Sequence, residues 1–327
     1  MPPSASVHIL NTPVAYLCTL RTNAIGSVDT WYLHRCYLEN TRADFRHRTR
    51  STAAGPKMAP LKEGVLMDNS APDNWDVIIV GAGPTGLTLA NILGRYGVKT
   101  LLVEQLADII AYPRGVGMDD EALRTFQSLG IVDKIIEHTT PFHWMRFIWP
   151  SGRVMASMEP QAKPYGWSRR NAFNQPLVDR VLYTGLDRYP SVEVRFETRL
   201  VSVRQDDNNA IASAEHIELK ARYIVGTDGG RSEVRAHMGV TFDGKTAPDK
   251  FVVVDIRNDP IGRPNGEFHL DPHRPYVSIA LPGGIRRLEF SVNDDEISNE
   301  IDVADDALKK KYEGIFSDSE FNRLDHI

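Results

Sequence analysis

The chain is 327 residues long, enough for roughly two domains, and its 42% hydrophobic and 25% charged residues form a globular mixture that excludes disordered, collagenous and coiled-coil classes. With 38 Lys and Arg against 43 Asp and Glu the net charge is -5, which excludes a basic polyanion-binding surface as the governing feature, so no nucleic acid partner is expected. Two cysteines, Cys18 and Cys36, are too few for a disulfide framework and point to a reducing, cytoplasmic compartment. No apolar run reaches the roughly 18 to 20 residues of a membrane span, so no membrane partner is expected either.

Residues 1–72 keep no helix or strand period and gather basic residues over 42–50. They are expected to lie outside the fold, as an unstructured extension or as residues ahead of a start at Met58 or Met67. No short charged region precedes an apolar core there, so a secretory signal is not expected. Residues 1–27 lack acids, as a transit peptide would, while Asp29, Glu39 and Asp44 speak against one.

Order begins at Trp75. Residues 76–80 are a β-branched apolar run with a glycine turn behind, which predicts a parallel strand covered on both faces. Leu87, Leu89, Ala90, Ile92 and Leu93, ahead of Gly94 and Gly97, predict a helix closed by glycine. With a second strand over 100–104 the run is a βαβ unit, expected to cross over right-handed. Residues 119–129 are helical in pattern, with Asp119 and Asp120 suited to the positive N-terminal end and Gly130 to the stop.

Residues 142–158 alternate around Pro150 and Gly152 and predict a β-hairpin, in which Trp144, Phe147 and Trp149 either line an aromatic pocket or pack the hairpin core. Residues 175–189 predict an amphipathic helix with Leu177, Val181, Leu182 and Leu186 on one side. Strands are predicted over 192–196, 200–203 and 211–219, with a turn at 206–209, followed by a strand over 221–225 that ends in glycine. From about residue 249 the pattern changes to alternating strands over 251–256, Tyr276–Leu281 and 287–292, the mark of a second, partly solvent-facing sheet. His269 and His273 flank Asp271, but Pro272 breaks any helix that would place both imidazoles on one face, so a turn is expected and no metal site.

Two turns carry the chemistry. In the first, Gly81, Gly83 and Gly86, with Pro84 and Thr85 between them, follow a strand and open a helix, so bare backbone lets a pyrophosphate approach the helix N-terminus. Glu104, ending the next strand, suits the adenosine ribose hydroxyls and would repel a 2′-phosphate, which selects NAD or FAD over NADP. In the second, Asp228 and Gly229 stand at the tip of a turn after another apolar strand. A simple NAD dehydrogenase has no use for this second turn. Arg114 and Arg231 are placed to offset phosphate charge, and Asp228 to hold a ribitol or ribose hydroxyl.

Residues 81–86 with Glu104, residues 112–124 (Tyr-Pro-Arg-Gly-Val-Gly-Met-Asp-Asp-Glu-Ala-Leu-Arg) and residues 228–232 (Asp-Gly-Gly-Arg-Ser) with Arg235 carry a family resemblance. From Trp75 onward the chain resembles the single-component FAD-dependent aromatic hydroxylases of the p-hydroxybenzoate hydroxylase type, most closely the 3-(3-hydroxyphenyl)propionate hydroxylase and phenol hydroxylase branch. The resemblance implies an α/β fold, with a Rossmann-like FAD-binding domain of the glutathione-reductase type at 73–245, its hairpin at 142–158 facing the substrate layer, and an incomplete mixed-sheet substrate domain at 246–327. It also implies FAD as cofactor, NAD(P)H as co-substrate, and insertion of one oxygen atom from O2 into a phenolic or other aromatic substrate. In such proteins the Asp-Gly segment lies near the FAD pyrophosphate, the arginine matching Arg114 sits beside the cofactor, and the glutamine matching Gln175 reaches the ribityl chain. The cofactor-binding candidates are therefore Gly81, Gly83, Pro84, Thr85, Gly86, Glu104, Gln105, Arg114, Gln175, Asp228 and Gly229, with no catalytic acid or base and no metal ligand nominated.

Such relatives carry a further Gly-Asp segment and a covering helix beyond the substrate sheet, and this chain reaches Ile327 without one. The expectation is a C-terminally truncated member with an uncovered sheet edge, weak binding of the ADP half of FAD and no hydroxylation on its own. The alternative reading is a non-catalytic nucleotide-binding module or relic.

Overall fold

A computed structural model describes residues 6–11, 15–19, 74–215, 217–244, 250–259, 262–272 and 275–292. Two strands, β1 (Ser6–Asn11) and β2 (Ala15–Thr19), precede the βαβ unit of β3 (Asn74–Val80), α1 (Pro84–Arg95) and β4 (Thr100–Val103). Then follow β5 (Gly117–Met118), α2 (Asp120–Ser128), α3 (Val132–Ile136), β6 (Thr139–Pro141), the hairpin β7 (Met145–Ile148) and β8 (Val154–Met158), and β9 (Asn171–Phe173). Helix α4 (Gln175–Thr184) runs on into a 3-10 turn (Gly185–Arg188) and leads to β10 (Val192–Arg195), β11 (Leu200–Gln205), β12 (Ala210–Ala214), β13 (Ile217–Gly226) and α5 (Glu233–His237). The chain continues through β14 (Lys250–Arg257), β15 (Gly266–His269), β16 (Tyr276–Leu281) and β17 (Ile285–Val292).

The first sheet runs β10-β4-β3-β13, all parallel, and β13 also carries the antiparallel pair β11-β12 along its first half. Alternation along β3 sends Val77 and Ile79 to one face, against Leu87, Ala90 and Leu93 of α1 and Val178 and Leu182 of α4. Ile78 and Val80 go to the other face, with Leu101, Leu200, Val203 and Val234. Burial on both faces is why residues 77–80 read as an unbroken apolar run. Buried Asn91 ties the two helices of the first face together, donating from Nδ2 to the carbonyl oxygens of Leu87 in α1 and Leu182 in α4.

The second sheet runs β14-β17-β16-β15-β7-β8, so the 142–158 hairpin is built into it, with β7 parallel to β15. A small third sheet, β5-β9-β6, joins the two layers: Ala172 of β9 packs on Ile279 and Leu281 of β16.

β1 lies antiparallel along Tyr223 to Gly226 of β13, with β2 beside it; residues 1–5, 12–14 and 20–73 lie outside the described residues. Such a pairing is made by backbone groups, which leave no mark in side-chain periodicity. Three expectations are corrected. The predicted strand over 211–219 is two strands with a turn between them, β12 and then a continuous β13 reaching Gly226. On α4 the buried stripe is Gln175, Val178, Asp179 and Leu182, while Leu177 is 44% exposed. His269 ends a strand, β15, instead of lying in a turn, its Nε2 being 3.1 Å from Glu267 Oε2; His273 lies outside the described residues.

Candidate functional site

Strands β4, β3 and β13 are parallel neighbours, so the turns at their C-terminal ends meet in one place. The 81–86 turn leaves β3 with Gly81 at φ +105°. A Cβ on Gly81 would come 2.7 Å from the Thr227 carbonyl oxygen, and one on Gly86 2.0 Å from the Gly81 carbonyl oxygen. Both glycines are demanded by the close approach of the β3 and β13 turns. Gly83 is different, because a Cβ there would meet nothing within 4 Å. It is the N-cap of the 12-residue α1, whose N-terminus has no side-chain cap, Pro84 at its start and no acid in its first turn. The N–H groups of Thr85 and Gly86 therefore end the helix at its positive pole without a side-chain acceptor among the described residues, which suits an anion.

Glu104 stands beside this end. Its Oε2 accepts from the Ala82 N–H at 2.8 Å and its Oε1 from the Leu106 N–H at 3.0 Å, so the carboxylate braces the turn and keeps further lone pairs on each oxygen. Gln105 follows, exposed. From the other side the Thr227 hydroxyl donates towards the carbonyl oxygens of Val80 and Gly81, at 2.8 and 2.9 Å. Asp228 accepts from the Ser232 hydroxyl (2.6 Å) and the Val234 N–H (3.2 Å), while Ser232 Oγ caps α5 by accepting from the Arg235 N–H. Gly229 sits at φ +80° and is exposed. Arg231 is exposed, and Arg235 spends its guanidinium on the Gly230 carbonyl and the face of Phe242.

Arg114 lies in the loop at 112–115, exposed and stacked over Tyr112, to whose hydroxyl it donates at 3.3 Å. The backbone of this loop is clamped from two sides. Gln175 Oε1 accepts from the Arg114 and Gly115 N–H groups at 2.8 and 2.7 Å, and Gln175 Nε2 donates to Asp179 Oδ2 at 3.1 Å. From the second sheet, buried Arg287 donates to both oxygens of buried Asp255 at 2.7 Å and to the Pro113 carbonyl at 2.7 Å. Asp179, Asp255 and Arg287 were not among the sequence candidates. Isolated polar residues on buried faces carry no periodic signal, and Arg287 reads simply as one position of an alternating strand.

Two groups in these layers are shifted strongly. Burial pushes the Asp179 carboxyl up to about 7, against the Gln175 hydrogen bond. Burial, helped by the charge of Arg170, holds the His143 imidazole down at about 4; its Nε2 lies 3.1 Å from the Ala280 carbonyl oxygen. The aromatic residues of the hairpin divide between the two expected roles. Phe147 stacks on Phe268 of β15 with centroids 5.0 Å apart, whereas Trp149 lines a cavity of about 510 Å³ with Arg146, Glu267, His269 and Tyr276. By register these strand residues of the cavity lie on the opposite face of the sheet from Ile279 and Arg287.

The chain matches the FAD binding domain over residues 74–311. It is 52% identical over 231 residues to a 3-(3-hydroxy-phenyl)propionate/3-hydroxycinnamic acid hydroxylase of Paraburkholderia xenovorans (strain LB400), covering 69% of this chain and 37% of that protein. Against the protein of the same name from Comamonas testosteroni it is 50% identical over 239 residues, 72% of this chain and 41% of the relative. The chain thus spans about two-fifths of the length of these curated relatives. Among solved structures, p-nitrophenol 4-monooxygenase PnpA from Pseudomonas putida DLL-E4 shares the fold with a TM-score of 0.67 at 24% identity, over 75% of this chain and 64% of that one. The flavin-dependent monooxygenase PieE, solved in complex with FAD and substrate, aligns with a TM-score of 0.60 at 25% identity, over 70% of this chain and 47% of its own.

Proposed function

Because the chain belongs to the FAD binding domain family, we propose that it forms the cofactor half of an FAD-dependent monooxygenase that hydroxylates a phenolic substrate with NAD(P)H and O2. In this reading the nucleotide layer is of the glutathione-reductase type, and the second sheet belongs to the substrate side. The N–H groups of Thr85 and Gly86 and the bare backbone of Gly83 would hold the pyrophosphate at the start of α1. Glu104 takes the adenosine ribose hydroxyls on its remaining lone pairs, with Gln105 beside it. Asp228 and Gly229 close the second side, and Arg114 supplies positive charge from a loop that Gln175 holds in place. The names of the curated relatives point to a phenol with a short carboxylic acid side chain as the substrate class.

When bound, the flavin supplies the redox and oxygen chemistry. The residues of this chain bind, orient and shield. Thr85, Gly86 and Arg114 neutralise phosphate charge, the 112–115 loop fixes one wall, and the apolar contacts of Ala172 with Ile279 and Leu281 close the two layers against water.

The observation that carries this reading is the uncapped start of α1 with open space at Gly83, set at the carboxyl ends of three parallel strands beside Glu104. Gly83 has an ordinary φ of -78°, so Gly83→Val adds bulk only where a ligand would lie. Titration with FAD followed by flavin fluorescence should give saturable binding to the wild type and binding weakened about tenfold or more by G83V, with the thermal midpoint lowered by no more than the few degrees that loss of a glycine N-cap costs. Equal binding by both proteins would remove the phosphate from this turn. With FAD loaded, NAD(P)H oxidation stimulated by a phenolic acid is expected, and its absence would favour a nucleotide-binding module.

A further inference from the structure

We propose that Asp179 is a positioning residue: it fixes the orientation of the Gln175 amide and, through that amide, the backbone of the 112–115 loop. The consequence for cofactor binding rests on the flavin reading above, whereas the structural part rests on geometry alone.

The two ends of a glutamine amide are nearly the same shape and differ only in that one accepts and the other donates. At Gln175 the end facing the loop meets two donors, the Arg114 and Gly115 N–H groups, at 2.8 and 2.7 Å. That end must be oxygen. The other end, Nε2, then donates to Asp179 Oδ2 at 3.1 Å. Reversing the amide would set NH2 against two N–H groups and would break the bond that Asp179 Oδ2 now accepts. Gln175 and Asp179 are four residues apart on α4, where side chains of one helix face meet, and both lie on its buried stripe.

The remaining feature is the poor fit of Asp179 to a packing role. It is 0% exposed, its neighbours on the stripe are Val178 and Leu182, and its buried Oδ1 has no hydrogen-bond partner among the described residues. An apolar residue would fill this place without stranding an oxygen. The carboxyl is accounted for by its other oxygen, which gives Gln175 Nε2 its acceptor. The loop so held is the one whose Pro113 carbonyl is pinned from the opposite side by Arg287, so Asp179 completes a clamp on both faces of the segment carrying Arg114.

The test is residue-resolved amide hydrogen exchange on the full chain as wild type, Asp179→Ala and Asp179→Asn. In the wild type the Arg114 and Gly115 amides should be protected. D179A should speed their exchange about tenfold or more, the loss expected for one buried acceptor, while the β3 and β4 amides keep their rates. D179N retains an acceptor and should stay within about twofold of wild type. FAD affinity should fall in D179A and recover in D179N. Unprotected wild-type amides would overturn the proposal without any variant, as would a D179A effect that is absent or spread evenly over the chain. If exchange follows the predicted pattern but no variant binds FAD, the flavin reading fails and the clamp stands.

Discussion

Arg287 and Asp255 face each other on paired strands, 4% and 5% exposed, and the guanidinium satisfies both carboxylate oxygens before reaching the Pro113 carbonyl. Removing one partner leaves the other charge buried and alone. Arg287→Met should therefore cost about 3 to 5 kcal/mol in urea unfolding, while the double change Arg287→Met with Asp255→Leu should recover much of that loss. Equal losses in the single and double variants would mean that the pair is held by something other than mutual compensation. The glycines were legible in the sequence because the backbone itself needs them: Gly81 and Gly86 stand where no Cβ fits. Glu104 was legible as the acid ending the second strand, but its bond to the Ala82 N–H was not, since the turn geometry that brings them together has no sequence pattern. Arg287 and Asp179 were missed for the same reason. A charged residue in a sheet or helix reads as solvent-facing until its partner is seen.

At the scale of elements, β3, α1 and β4 follow directly from apolar runs bounded by glycine, and Asp119 caps α2 by accepting from the Ala122 N–H at 2.8 Å, as an acid at a helix start should. Helix α4 was found but rotated, because a periodicity count assigns buried places to leucines and not to Gln175 and Asp179. That rotation has a pH consequence. Asp179 keeps its proton in the folded chain from its ordinary 3.8 up to about 7, so the folded state binds more protons than the unfolded one and stability falls as pH rises through that window. His143, held at about 4 from an ordinary 6.5, acts oppositely, since the unfolded chain gains a proton there that the folded chain refuses and stability rises with pH. The two slopes oppose each other up to 6.5, above which only the fall due to Asp179 remains. Denaturation at a series of pH values should show D179N gaining stability from pH 4 to 6.5 and His143→Gln losing it from pH 4 to 7. Parallel profiles for the two variants would contradict these assignments.

Over the whole molecule, three parallel strands deliver two loops and an acid to one point, while the second sheet reaches the 112–115 loop through Arg287 and packs on Ala172 of the third sheet through Ile279 and Leu281. The parallel core was readable from the sequence. The way β7 and β8 enter the second sheet, and the way β1 covers β13, were not, because pairings between distant segments are made by the backbone and by tertiary packing. A ligand seated at this junction should stabilise both layers together, by about 2.7 kcal/mol at a hundredfold excess over its Kd. Chemical unfolding with and without FAD should then show a single shifted transition; a shift confined to one layer would contradict a shared site. The most direct measurement is of the backbone amide resonances as FAD is added. A diphosphate against α1 predicts that the largest shifts fall on Thr85 and Gly86, with smaller ones at Ala82 and Gly229. Saturation of binding with Thr85 and Gly86 unmoved would contradict it.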